Sequence, residues 1–222
     1  MSLFGALMRS SPFDSPQVPM NAANVAYFLD LFGGGRTDSN EIVTPLTAMQ
    51  ASAIFTCVRI LSEQIAKTPV RVYRVDEKGK HLAVDHALYD LLALSPNEEM
   101  TAFVLKQAIT AQILLWGAAY CEIQYNGAGW PTALIPRGAW KTKPVRIAGK
   151  LFYETTDTQD GSMLRIPADK MLYFPYVSLD GLVGMTPIQC ARQTIGSNLA
   201  MDKFGARFFG NYATPKLALK TP

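Results

Sequence analysis

TAFVLKQAITAQILLWGAAYCEIQYNGAGWPTALIP, residues 101–136, decides the fold class. Thr101 is a good N-cap, because its hydroxyl can accept a backbone N–H that the first helical turn leaves unpaired. Over residues 102–116, Val104, Leu105, Ala108, Ile109, Ala111, Leu115 and Trp116 cover one broad arc at helical spacing, broken only by Gln112. Lys106, Gln107 and Thr110 gather on the other side. Gly117 suits a helix stop, since it tolerates left-handed backbone angles. Tyr120, Ile123 and Tyr125 then favour a strand, Asn126-Gly127-Ala128-Gly129 signals a turn, and residues 130–135 return as a second strand closed by Pro136. A helix feeding a hairpin on one core makes the chain α+β, with long amphipathic helices packed on small antiparallel sheets and hairpins.

Downstream lies the clearest helix signal. Thr186 is an N-cap, Pro187 occupies the first helical position, and Gly210 ends the run. One face carries Ile188, Ala191, Ile195, Leu199 and Ala206, while Met201, Phe204 and Phe208 form a second apolar patch opposite. Arg192, Lys203 and Arg207 make a basic stripe between them. A helix apolar on two sides is either sandwiched in its own core or shared with another subunit, and periodicity leaves both open.

Upstream, residues 47–67 read as a helix with Ile54, Cys57, Val58, Leu61 and Ile65 as its inward stripe. Thr68-Pro69 ends it, because the residue before proline is pushed out of helical geometry. A strand at 70–75, a turn, and a return strand at 81–84 follow. Asp85 can cap a short helix through Leu94, with Leu88, Leu91 and Leu92 facing inward and His86 in its first turn or cap. Residues 1–45 read as an arm and linker, with prolines at 12, 16 and 19, a short amphipathic helix over 22–32, and Gly33-Gly34-Gly35 as a joint. The triple glycine lacks the lysine and the strand-to-helix frame of a phosphate loop.

Between the central hairpin and the last helix, short strands are expected at 145–147, 151–156, 163–166 and 171–176. Residues 137–150 hold Arg137, Lys141, Lys143, Arg146 and Lys150 around Trp140, with no acidic residue. Such a strip can touch nucleic acid, although lysines on edge strands also serve simply to prevent sheet-to-sheet pairing.

Composition excludes several classes. At 49% hydrophobic and 18% charged the chain is an ordinary globular one, and a net charge of +3 is too small to argue for nucleic acid by itself. Three scattered cysteines and two histidines give no metal-ligand spacing and no disulfide framework. No stretch reaches the roughly 20 apolar residues of a membrane span, and the N-terminus lacks the basic region of a secretory signal. No nucleophile, base and orienting residue recur together, so catalysis is not expected, nor any metal or cofactor.

Six strings carry a resemblance. They are IFTCVRILSEQIAKTPV (54–70) with Tyr73-Arg74 after it, HALYDLL (86–92), PNEEMTAF (96–103), WGAAYCEI (116–123), SLDGLVGMTPI (178–188) and ARFFGNYATP (206–215). In this order, across residues 46–215, the chain resembles the portal proteins of tailed bacteriophages, specifically the HK97 family. The resemblance implies that residues 46–222 correspond to the wing portion of a portal. The stem, clip, tunnel loop and crown lie outside what matches, so a fragment or a shortened copy is expected. It implies a structural subunit that assembles with itself into a ring, usually twelve-fold, at one capsid vertex. Double-stranded DNA is pumped through such a ring by a separate ATPase, the terminase motor, and later leaves through it into the tail. The implied partners are the major capsid protein, and terminase and head-tail adaptor through the missing regions. The implied setting is the virion, assembled in the host bacterial cytoplasm. The resemblance also tilts the last helix toward the shared arrangement, making Arg192, Met201, Phe204, Arg207 and Phe208 the expected subunit contacts. Arg137, Lys141, Lys143, Arg146 and Lys203 are the expected contacts to DNA or a partner. The alternative is a nucleic-acid-binding module that uses the basic strips without forming a ring.

Overall fold

The computed structural model describes residues 35–77, 79–157, 161–179 and 183–210. The expected helix over 22–32 lies outside them. A small antiparallel hairpin, β1 (Gly35–Arg36) and β2 (Ile42–Val43), leads into α1 (Pro45–Ala48) and α2 (Ser52–Lys67). The exposed ribbon β3 (Tyr73–Asp76) and β4 (Gly79–Leu82) precedes α3 (Ala87–Ala93) and α4 (Ala102–Trp116). The remaining elements are β5 (Ala118–Tyr125), β6 (Pro131–Arg137), β7 (Lys143–Ile147), β8 (Lys150–Thr156), β9 (Met163–Pro167), β10 (Met171–Pro175), α5 (Pro187–Cys190) and α6 (Arg192–Gly210).

The central unit forms as its local chemistry dictates. The Thr101 hydroxyl accepts the Val104 N–H, and Gly117 closes α4 at φ 78°. Asn126 Oδ1 accepts the N–H groups of Ala128 and Trp130, which fixes the turn between β5 and β6. Sequence-distant β10 pairs with the other edge of β5, giving a three-stranded antiparallel sheet in the order β10-β5-β6. A second antiparallel sheet is the meander β7-β8-β9. The two sheets share a core of Tyr120, Tyr153, Ile166 and Met171. There the Tyr120 and Tyr173 rings stack at 5.2 Å. Burial, then the neighbouring Tyr173 and Tyr153, push the Tyr120 hydroxyl pKa up.

Helix α4 is buried on more than one side. Leu115 joins Val43, Ala51, Val58, Ile188, Ile195 and Leu199 in a helical core, while Leu105 joins Leu91, Cys121 and Leu134 against the sheet. Of its polar residues Thr110 and Gln112 are buried, while Lys106 and Gln107 are half-buried. Thr110 Oγ1 donates to the Lys106 carbonyl, and Gln112 Oε1 accepts the Ala139 N–H, tying α4 to the turn before β7.

Several sequence expectations are corrected. The helix at 47–67 is interrupted between α1 and α2, and of its expected inward stripe only Ile54 and Val58 reach the core. Ala51, Val58, Ser62 and Ala66 face the core, whereas Cys57, Leu61 and Ile65 are exposed. Small side chains let α2 and α4 approach closely, and that contact sets the orientation of α2 over its own periodicity. The helix expected without a break from Pro187 to Gly210 is interrupted at Ala191, and Ala191 and Ala206 are exposed. Residues 35–45 belong to the packed body, since Val43 is fully buried. His86 is the N-cap of α3, its Nδ1 accepting the Leu88 N–H at 3.2 Å.

Cys121 is buried, and burial followed by the adjacent Glu122 charge pushes its thiol up to about 12. Cys57 and Cys190 are exposed. A thiol reagent near pH 8 is expected to modify those two in the folded chain and Cys121 only after denaturant is added. Equal reaction rates for all three in native buffer would contradict this packing.

Candidate subunit interface

The first half of α6 is anchored. Ile195 and Leu199 enter the helical core, and Gly196 meets Thr37, where an added Cβ would lie 2.7 Å from the threonine Cβ. The β1-β2 hairpin closes over this anchor. The Asp38 N–H donates to Gln193 Oε1 at 3.1 Å, and Glu41 forms an ion pair with Lys203.

The second half of α6 is bare. From Met201 to Gly210 no residue is buried, and Met201, Phe204, Phe208 and Phe209 are 62%, 71%, 48% and 76% exposed. The Phe204 and Phe208 rings lie nearly parallel at 6.2 Å, with Phe209 edge-on to Phe208 at 5.6 Å. Aromatic side chains on successive turns that no described residue covers mark an association surface more than a solvated one. Of the expected contact residues, Met201, Phe204, Arg207 and Phe208 share this half. Arg192 stands half-buried at the opposite end of α6, away from the patch.

A second bare surface lies where periodicity alone points Cys57, Leu61 and Ile65 inward. Cys57, Ile60, Leu61, Gln64 and Ile65 recur at helical spacing on the outer side of α2, and all are exposed. The period is legible in the sequence, but the helix is rotated so that Ile54 and Val58 face the core and Cys57, Leu61 and Ile65 face out.

The basic residues do not converge. Arg137 is buried, its Nε and Nη2 donating to Glu122 Oε2 at 2.8 and 2.5 Å, so it is withdrawn from any surface strip. Lys143 and Arg165 flank Glu154 across three strands at 3.5 and 2.9 Å, a ladder that braces the β7-β8-β9 sheet. Lys143 and Arg146 alternate to opposite faces of β7. Lys141 and Arg146 are exposed, the former in the short turn before β7. Trp140 rests against Trp116 at 5.1 Å, and Lys203 is held by Glu41. Strand alternation and ion pairing disperse what the linear sequence gathers.

An open cleft of about 910 Å³ lies beside residues 95–100 and β6, lined by Asn97, Glu98, Glu99, Gln124 and Asp157 among others. Its hydroxyls, Ser95 and Thr132, donate to backbone carbonyls of Asn97, Met100 and Gln124. Among the described residues, no three His, Cys, Asp or Glu side chains come together as metal ligands, and no helix is long and apolar enough to cross a membrane.

Comparison with known proteins supplies the context for these surfaces. A family model described as phage portal protein matches residues 52–222. The chain is 29% identical over 175 residues to the portal protein of Enterobacteria phage HK97, covering 78% of this chain and 41% of that protein. It is 30% identical over 204 residues to the probable portal protein of Streptomyces phage phiC31, covering 85% of this chain and 43% of that one. Thus it spans less than half the length of either relative. Among solved structures, a chain from the neck of a native gene transfer agent particle with C12 symmetry superposes with a TM-score of 0.61. That match has 23% identity and covers 76% of this chain and 44% of the other.

Proposed function

The chain belongs to the phage portal protein family, and on that footing we propose that it is a structural subunit of a portal ring at a capsid vertex. The ring is the conduit through which double-stranded DNA enters the head and later leaves toward the tail. The observation that carries the ring is the bare half of α6. Phe204 and Phe208 are 71% and 48% exposed on a helix whose other end is fixed in the core.

Burying a fully exposed phenylalanine is worth about 1.5–3 kcal/mol before the cost of association, so covering this patch favours a contact. A neck with C12 symmetry in a particle of similar fold supports a twelve-membered ring of this chain. The major capsid protein, terminase and a head-tail adaptor are the partners that go with such a ring. Its place is the virion, after assembly in the host bacterial cytoplasm. The subunit itself catalyses nothing, and the work of packaging falls to the motor ATPase. The dispersal of the basic residues disfavours a stand-alone nucleic-acid-binding module.

Light scattering and negative-stain microscopy of the purified chain test this reading. Rings are expected, and Phe204→Asp with Phe208→Asp is expected to yield monomers with unchanged circular dichroism. A monomeric parent chain, or a double variant that still forms rings, would refute it.

A further inference from the structure

We propose that the outer strip of α2, Cys57, Ile60, Leu61, Gln64 and Ile65, receives the Met201, Phe204 and Phe208 tip of α6 from the adjacent copy. This rests on the ring reading above and names the surface that the tip meets.

A cyclic ring is built from head-to-tail contacts, so each copy presents two different and complementary faces. The described residues carry two long helices with an unpartnered apolar face, and these are α2 and α6. Their patterns match. The α2 strip runs at offsets 0, 3, 4, 7 and 8, and Ile60, Leu61 and Ile65 are 45%, 48% and 52% exposed. On α6, Met201, Phe204, Gly205 and Phe208 run at offsets 0, 3, 4 and 7. Two helices with such rows pack by setting the ridges of one into the grooves of the other.

Gly205 supplies the groove. Nothing lies within 4 Å of where its Cβ would be, so its absence opens a notch between Met201, Phe204 and Phe208. A branched side chain such as Leu61 fits a notch of that kind. The α2 strip carries no charged residue, and Gln64 is its one polar side chain, so covering it with aromatic rings desolvates a single amide and no charge. Arg207 and Asp202 flank the α6 tip and stay at the rim of the contact.

Cross-linking tests the pairing in the full chain. Cys190→Ser removes the other exposed thiol, Cys121 stays buried, and Met201→Cys places a partner thiol on the tip. With a short bismaleimide, a ladder of multimers is expected, and it should vanish on adding Cys57→Ser. Rings by microscopy without a ladder would overturn this pairing while leaving the ring intact. A cross-link within one chain would likewise overturn it, giving the strip to the chain's own tip. Absence of both rings and ladder would sink the ring reading, and the pairing with it.

Gly205→Leu provides a second measurement. It fills open space in the single subunit, so the melting temperature should hold or rise while association weakens at least tenfold. Unweakened association in that variant would also overturn the pairing.

Discussion

Gly184→Ala is expected to abolish the folded protein. The chain segment before α5 crosses the end of α4 backbone against backbone. A Cβ at Gly184 would overlap the Gly117 carbonyl oxygen and lie 3.1 Å from the Tyr176 nitrogen. Neither neighbour can give way. The Gly117 oxygen already accepts the Tyr176 N–H at 2.8 Å, and Gly117 itself stands at φ 78° with Met185 O 2.6 Å from where its own Cβ would be. Relief requires parting α4 from α5, which opens the core around Leu115 and Ile188. Losses above about 4 kcal/mol are exceptional for one substitution, and a displaced backbone crossing belongs in that class. Total stability is about 5–15 kcal/mol, so soluble yield should collapse. Gly205→Ala is the control. It meets nothing, and it should raise stability by up to about 1 kcal/mol through helix propensity. A Gly184→Ala protein melting within a few degrees of the parent would show that the crossing is not tight.

The second large effect is at Arg137. Its side chain is 10% exposed and that of Glu122 is 19% exposed, on adjacent strands of the central sheet. Arg137→Met leaves a nearly buried carboxylate without its cation, a situation that costs about 3–5 kcal/mol. The cost arises mainly from the orphaned charge, not from a lost attraction. Arg137→Met with Glu122→Met should therefore recover most of it, and a urea-unfolding double-mutant cycle should return strong coupling. Additive losses would mean that water reaches Glu122 in the variant.

The fold was legible where structure is decided locally. Thr101, Gly117 and the Asn126-Gly127 turn each mark a boundary by their own chemistry, and α4, β5 and β6 follow them. The chain gives no local sign of what distant segments do to one another. That β10 lies beside β5 depends on a return across some fifty residues, and Gly184 looks like any of 16 glycines until Gly117 is set against it. The apolar period of α2 was real, yet the inward direction went to Ala51, Ser62 and Ala66, because fit against α4 outweighs hydrophobicity. For the candidate interface, Met201, Phe204 and Phe208 could be read because they lie opposite Ile195 and Leu199 on one helix. Arg137 could not, since only strand pairing reveals that Glu122 reaches it.

The hairpin over the root of α6 has a mechanical consequence. A rod held at one end by Thr37 against Gly196, with Glu41 and Asp38 as braces, behaves as a cantilever. Its stiffness is set at the clamp, and its deflection grows toward Phe208 and the residues after it. In the proposed ring, load applied at the tip is delivered to residues 37–41, so loosening that grip would blur the angle between subunits long before it separated them.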